Sequence, residues 1–230
     1  MPASETKGTT RQQRRGRERR KIILDSFKEL LIEKGLEEIS LSDLATRCEI
    51  PPGSLYHFYP SLPKLFGALA AEFYSELRDY FRQSYRSIRA DTWQGYLDNL
   101  IQTSCDFYRA NPAYQELILS GKASDDVKRK ARLDDFFLLI FRRDLIQRLG
   151  LPAIANDREI FNNTLQIVEL MLSLTVIREG ELSERGVVEA KRAGRAYLGL
   201  YFPAVVNSPD NSVNHIATNE SDREQSDTDS

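Results

Sequence analysis

Between Ser40 and Phe58 the chain reads SLSDLATRCEIPPGSLYHF, and few folds accommodate this stretch. Leu41, Leu44, Ala45 and Cys48 recur at helical spacing. They follow a serine suited to capping a helix start, with Asp43 three residues on, the pattern of a capping box. A turn of three or four residues comes next, and then a second short helix over about 52–58. Pro52 suits its first position, where no backbone N–H is needed. Leu55 and Phe58 predict the face that packs inward. Two short helices joined by so tight a turn make a helix-turn-helix, whose second helix is free to lie in a major groove.

Nothing elsewhere alternates with period two for long, while helical spacing recurs throughout, so the chain reads as all-α. Ile23, Phe27, Leu30 and Leu31 share one helix face, which Gly35 terminates. A long helix is expected from Ser61 to about Ser87. Others follow over about 92–110, 112–120, 124–149, 156–179 and 183–202, separated by Asn111-Pro112, Gly121, Gly150 with Pro152, Gly180 and Pro203.

Charge separates the ends. Residues 1–21 hold eight Lys or Arg against two Glu, a net +6, and residues 203–230 hold six Asp or Glu against Arg223, a net −5. A disordered basic arm over 1–18 is expected, with Arg14, Arg15 and Arg17 as phosphate contacts, and it points to a polyanionic partner. The acidic tail is expected to be solvated and disordered. Cys48 and Cys105 are expected as reduced, buried thiols. No apolar run follows the N-terminal charges, so no secretory leader is expected. The longest apolar stretch, residues 165–177, is interrupted by Gln166 and Glu169 and is short for a bilayer span. A cytoplasmic protein with no membrane partner is expected.

The second short helix offers Ser54, Tyr56, His57 and Tyr59 as hydroxyls, an imidazole and ring faces for phosphates and base edges, and Gly53 permits close approach. Here SLSDLATRCEIPPGSLYHFYPSLPKL resembles the DNA-binding region of the TetR family of bacterial transcriptional regulators. The shared pattern is an apolar-Asp-apolar-Ala run, a turn, a hydroxyl-Leu-Tyr triplet and an aromatic-x-Ser turn into the next helix, covering about residues 19–70. The resemblance implies an N-terminal three-helix helix-turn-helix DNA-binding domain (19–60) and a larger C-terminal helical ligand-binding and dimerisation domain (61–202). It implies that Ser40, Ser42, Gly53, Ser54, Tyr56 and His57 meet double-stranded DNA. Ser54 and Tyr56 would touch phosphate, and Ser42, Pro52, Gly53 and His57 base edges or thymine methyls.

Three positions depart from the family pattern. Glu49 stands where relatives carry Gly, and a left-handed conformation there would cost roughly 1–2 kcal/mol. Pro51 replaces the usual cap, forfeiting about 1 kcal/mol. Leu62 replaces a phosphate-binding Lys, for which Lys64 is the substitute. The recognition helix has no Lys, Arg, Asn or Gln, so salt dependence is expected to rest on the arm and Lys64, and sequence choice partly on DNA shape.

The family's C-terminal helices commonly enclose a small-molecule effector, and Trp93, Tyr96, Phe107, Tyr108, Phe137, Phe141 and Met171 are the candidate walls. Segment 160–177 is apolar on two sides, and segment 186–202 intersperses Ala190, Ala193, Gly194 and Gly199 among larger residues. The two helices are expected to pair with their copies in a homodimer.

The two histidines, His57 and His215, lie in the motif and the tail, and no metal-ligand spacing, phosphate loop or nucleophile-base arrangement appears. No enzyme, metal or cofactor is expected. The expected function is a ligand-responsive repressor binding a palindromic operator as a homodimer. The alternative is a helical ligand- or partner-binding protein of the same fold, without sequence-specific DNA binding.

Overall fold

The computed structural model describes residues 5–84, 88, 90–120, 140, 142–152 and 154–202, with the backbone alone for residues 5–12 and 148. Among these residues the chain is helical, with no strand. In order come α1 (Glu5–Lys34), a single 3-10 turn (Leu36–Glu38), α2 (Leu41–Arg47), α3 (Pro52–Phe58), α4 (Leu62–Ser84), α5 (Trp93–Ala110) and α6 (Pro112–Leu119). A π-helical turn over Asp144–Arg148 precedes α7 (Asp157–Glu179) and α8 (Glu184–Leu198). The acidic segment 203–230, Phe137, Phe141 and most of the helix expected over 124–149 lie outside the described residues.

The boundaries follow local chemistry. Gly35, at φ 75°, ends α1 with its N–H on Leu31 O (3.0 Å), and Gly180, at φ 78°, ends α7 with its N–H on Val176 O (2.9 Å). Thr92 and Ser183 cap α5 and α8 through side-chain oxygens that accept from Gly95 and Gly186 N–H, each at 3.2 Å.

One expectation is corrected here. The segment expected as a structureless arm through residue 18 is the beginning of α1, which runs unbroken from Glu5. Arg, Gln and Glu, which dominate residues 11–21, are strong helix formers, and Arg14 pairs with Glu18 one turn on (3.4 Å).

Helices α1, α2 and α3 form a head around Ile23, Phe27, Leu31, Leu44 and Leu55, each at most 1 % exposed. It is fastened to the body by α4, where Phe66 stacks on Phe27 (5.5 Å), and by α6, against which α1 packs. A polar knot ties these helices together. Lys28 of α1 pairs with Glu72 and, at 3.6 Å, with Glu76 of α4, and lies 4.9 Å above the Tyr114 ring of α6. The Tyr114 hydroxyl donates to Glu72 (3.3 Å), and the Leu36 N–H donates to Glu116 of α6 (3.1 Å). Burial, followed by the two neighbouring carboxylates, holds the Tyr114 phenol well above its ordinary range.

In the body, α7 and α8 form a close hairpin. Gly186 leaves space for Thr175, and a Cβ on Gly194 would come within 2.8 Å of Val168. Lys191 donates to Gln102 (2.6 Å) and Arg195 pairs with Asp98 (3.2 Å), tying α8 to α5. Cys105 is fully buried, which raises its thiol to about 12, whereas Cys48 is only half-buried. By length and composition α7 could cross a membrane, a longer apolar helix than the interrupted run of residues 165–177 implied. Much of that apolar surface is used in packing, since Phe161, Val168, Leu172 and Val176 belong to the core.

Candidate nucleic-acid interface

The reading head is set by the turn between α2 and α3. Ser40 and Asp43 complete the capping box: Ser40 Oγ accepts from Asp43 N–H (3.1 Å), and Asp43 Oδ2 accepts from Ser40 N–H (3.0 Å) and Ser40 O–H (2.5 Å). These bonds and Lys34 hold the Asp43 carboxyl down at about 2. The Ser40 hydroxyl is thus committed to the start of α2.

The C-terminus of α2 closes in a full Schellman motif. Ile50 N–H reaches Ala45 O and Glu49 N–H reaches Thr46 O, both at 3.1 Å. Glu49 occupies the left-handed position of that motif at φ 52°, as a glycine would. Pro51 makes no side-chain cap; its carbonyl accepts from Ser54 and Leu55 N–H (2.9 and 3.3 Å).

Leu55, fully buried, pins α3 to the core, and the Arg20 guanidinium lies 5.7 Å from the Phe58 ring centre. The opposite face is open: Pro52, Gly53, Tyr56 and His57 are exposed, and Ser54 is half-exposed at its edge. A Cβ on Gly53 would meet nothing within 4 Å, so the glycine serves no internal packing. Ser42 on α2 and Lys64 in the first turn of α4 are exposed beside this face. Tyr59 differs from expectation. It is 6 % exposed, and burial raises its phenol. It lies four residues after Leu55, on the same side of the helix, and that spacing was the signal for the core.

Charge around the head is divided. Arg47 bridges Glu29 (3.2 Å) and Glu33, and Lys34 pairs with Asp43 (3.3 Å). Arg14, Arg15 and Arg17 are exposed on α1, joined by Arg19, Arg20 and Lys21, which sequence reasoning left as part of a run. Among the described residues Arg15, Arg17, Arg19 and Lys21 make no ion pair. A surface cleft of about 600 Å³ lies between this half of α1 and α4, with Arg17, Arg20, Lys21 and Lys28 facing Asp25, Glu72 and Glu76.

Among the described candidate effector walls, Trp93, Tyr96, Phe107 and Tyr108 are buried, and their rings form two separate groups. Phe107 and Tyr108 pack on Phe73 (5.9 and 5.4 Å), and Phe107 also on Tyr80 and Tyr114 (5.3 and 6.0 Å). Trp93, fourteen residues earlier on α5 and so about 21 Å away, packs near Phe202 (6.3 Å). Tyr96 donates to the fully buried Asp144 carboxylate at the π-helical turn (2.6 Å), a pairing that no local pattern announced. Met171 is half-buried against the core. Among the described residues no cluster of three or more His, Cys, Asp or Glu could hold a metal.

Residues 23–69 match the family described as bacterial regulatory proteins, tetR family. The N-terminal domain is a TetR-family domain. Two solved structures share the fold over most of this chain. A TetR-family transcriptional regulator from Streptomyces coelicolor is 22 % identical with a TM-score of 0.60, covering 79 % of this chain and 98 % of that one. Thermus thermophilus FadR, a TetR-family repressor solved in complex with lauroyl-CoA, is 16 % identical with a TM-score of 0.59, covering 83 % and 98 %. At these identities the likeness is one of fold. The chain is also 32 % identical over 140 residues to the nucleoid occlusion factor SlmA of Mannheimia succiniciproducens, across 59 % of this chain and 63 % of that protein. It is 30 % identical over 125 residues to its counterpart in Pasteurella multocida, across 53 % and 61 %. The match spans less than two thirds of either relative. These similarities are to DNA-binding proteins rather than enzymes.

Proposed function

We propose that the chain is a homodimeric, sequence-specific DNA-binding regulator that reads a palindromic duplex with α3, acting in the cytoplasm beside its DNA. The carrying observation is the open face of Pro52, Gly53, Tyr56 and His57, pinned from behind by Leu55 and flanked by Lys64 and the unpaired cations of α1. Phosphates would be met by Ser54, Tyr56, Lys64, Arg14, Arg15 and Arg17, and base edges by Ser42, Pro52, Gly53 and His57. Ser40 supports the site through α2, and Tyr59 through the core.

The surface of α7 supports the dimer. Leu170 and Ile177 are 58 % and 55 % exposed, and with half-buried Ile167 and Leu174 they form a stripe spaced three and four residues apart. Val188 of α8 adds to the exposed apolar surface (41 %). Two copies joined there would present two α3 helices to major grooves about 34–36 Å apart. The double variant L170E/I177E is expected to sediment as a monomer and to lose at least about a hundredfold in affinity for a palindrome, through loss of the second head.

Repression relieved by a small effector remains the reading for the output of the body, by likeness to effector-binding relatives. A second reading, a DNA-bound factor without a small-molecule effector, is favoured by two observations. The relatives near 30 % identity are named nucleoid occlusion factors. The described candidate walls also lie in two groups, with their rings against other side chains. Selection from a random duplex library at two salt concentrations tests the shared core of both readings. One enriched palindrome supports it; no enrichment, with binding that vanishes as salt rises, refutes it. Matches concentrated upstream of genes favour the repressor, and matches scattered along the chromosome favour the second reading.

A further inference from the structure

Residues 13–22 of α1 bury no side chain. Among residues 13–22 every side chain is exposed, with Gly16 alone intermediate, before burial begins at Ile23. That stretch carries six cations against Glu18, and the sole ion pair on it joins Arg14 to Glu18 on a face more than half exposed. The anions of the head are already engaged: Glu29 and Glu33 by Arg47, Asp43 by Lys34, Glu72 by Lys28. Those pairs engage four carboxylates beside the rod, while Arg15, Arg17, Arg19 and Lys21 make no ion pair among the described residues.

The opposite imbalance stands at the other end of the chain. Residues 203–230 carry a net −5, and five carboxylates fall within the ten residues Glu220–Asp229. Their starting point is fixed, because Phe202 is buried (3 % exposed) near the Trp93 and Phe161 rings. We propose that the acidic C-terminal segment, residues 203–230, docks on the basic face of α1 and competes there with DNA phosphate.

Geometry permits the contact. From Trp93 along α5 to the rings beside Lys28 is about 27 Å, and from Lys28 back along α1 to Arg14 is about 21 Å. A chain of 28 residues spans up to about 95 Å. Exposed ion pairs are individually weak, so the contact depends on tethering, which supplies a local concentration of order millimolar. Duplex DNA, with one charge per about 1.7 Å, displaces the segment where α3 adds contacts of its own. On random sequence, where α3 adds little, the segment competes well. Its effect is to weaken binding wherever the α1 cations must meet phosphate. This rests on the reading that α1 meets phosphate.

The test uses three proteins: the full chain, a chain ending at Phe202, and a full-length chain with its six tail carboxylates changed to amides (D210N, E220Q, D222N, E224Q, D227N, D229N). Affinity for a fluorescent random-sequence duplex is measured from 50 to 200 mM salt. Both altered proteins are expected to bind about five- to tenfold tighter near 0.1 M salt, with a salt slope steeper by about 2–3, because each phosphate contact contributes about 0.9. Adding R15A, R17A and R19A should abolish the difference. Unchanged affinity and slope in the amide variant would overturn the proposal, as would a gain that persists without the three arginines. If no duplex sequence is preferred but the gain appears, the regulator reading fails and the docking stands. If a palindrome is preferred and no gain appears, the docking fails and the regulator reading stands.

Discussion

Glu49 sits at φ 52° in the Schellman turn that aims α3, and changing it to glycine should stabilise the protein. A non-glycine residue in the left-handed region costs roughly 1–2 kcal/mol. Glycine returns part of that gain, about 0.4–1 kcal/mol, through the greater freedom of its unfolded chain. The Glu49 side chain is exposed and makes no ion pair, so it contributes nothing else that the substitution would remove. The net expectation for E49G is about 0.5–1 kcal/mol of added stability, which for a chain of this length raises Tm by about 1–4 °C. Thermal unfolding at fixed protein concentration measures it, with E49A and E49Q as controls that keep the backbone strain and remove the charge. E49N, which tolerates the left-handed region better, should fall between. If E49A or E49Q gains as much as E49G, the effect is one of charge and the strain argument fails. A lower Tm for E49G would refute it outright.

Gly53→Ala should leave stability unchanged or raise it by up to about 1 kcal/mol, since a Cβ there meets nothing within 4 Å. The same change should weaken operator binding about tenfold in a gel shift, because the added methyl lies on the face offered to DNA. Gly186→Ala should destabilise by about 1–3 kcal/mol in urea unfolding, because its Cβ would overlap the Thr175 side chain. Asp43 titrates at about 2 when folded, against 3.8 for the free carboxyl. Its stabilising contribution is therefore complete above about pH 4 and is lost as pH falls through about 2. The gap in urea midpoint between the native chain and D43A should narrow over that window; a gap undiminished at pH 2 would refute the assignment.

The capping box at Ser40 and Asp43, the inward Leu55, the strained Glu49, the ends of α5, α6 and α7 and the start of α8 are legible, because each depends on residues within a turn or two of one another; α8 ends at Leu198, a turn before the expected stop at Pro203. Residues 5–18 are helical although their charge density resembles that of a disordered segment, since Arg, Gln and Glu are strong helix formers. Tyr59, four residues after Leu55, is buried although its hydroxyl suits a phosphate contact. The Tyr96–Asp144 bond, the Lys28–Glu72–Tyr114 knot and the Glu116 contact to Leu36 join positions 42–80 residues apart. No local pattern encodes such pairings, and the body's interior could be named from sequence only as a set of rings, without their grouping.

The unbroken length of α1 turns the knot at Lys28 into a fulcrum. From Lys28 to Arg14 the rod extends about 21 Å, so a tilt of about 5° at the knot swings the basic tip by about 2 Å. A displacement of that size separates a guanidinium in hydrogen-bond contact with a phosphate from one a water molecule away. Because α6 holds the other side of the fulcrum through Tyr114 and Glu116, a small repacking in the body would be magnified at the basic tip of α1, without any change in the shape of α3.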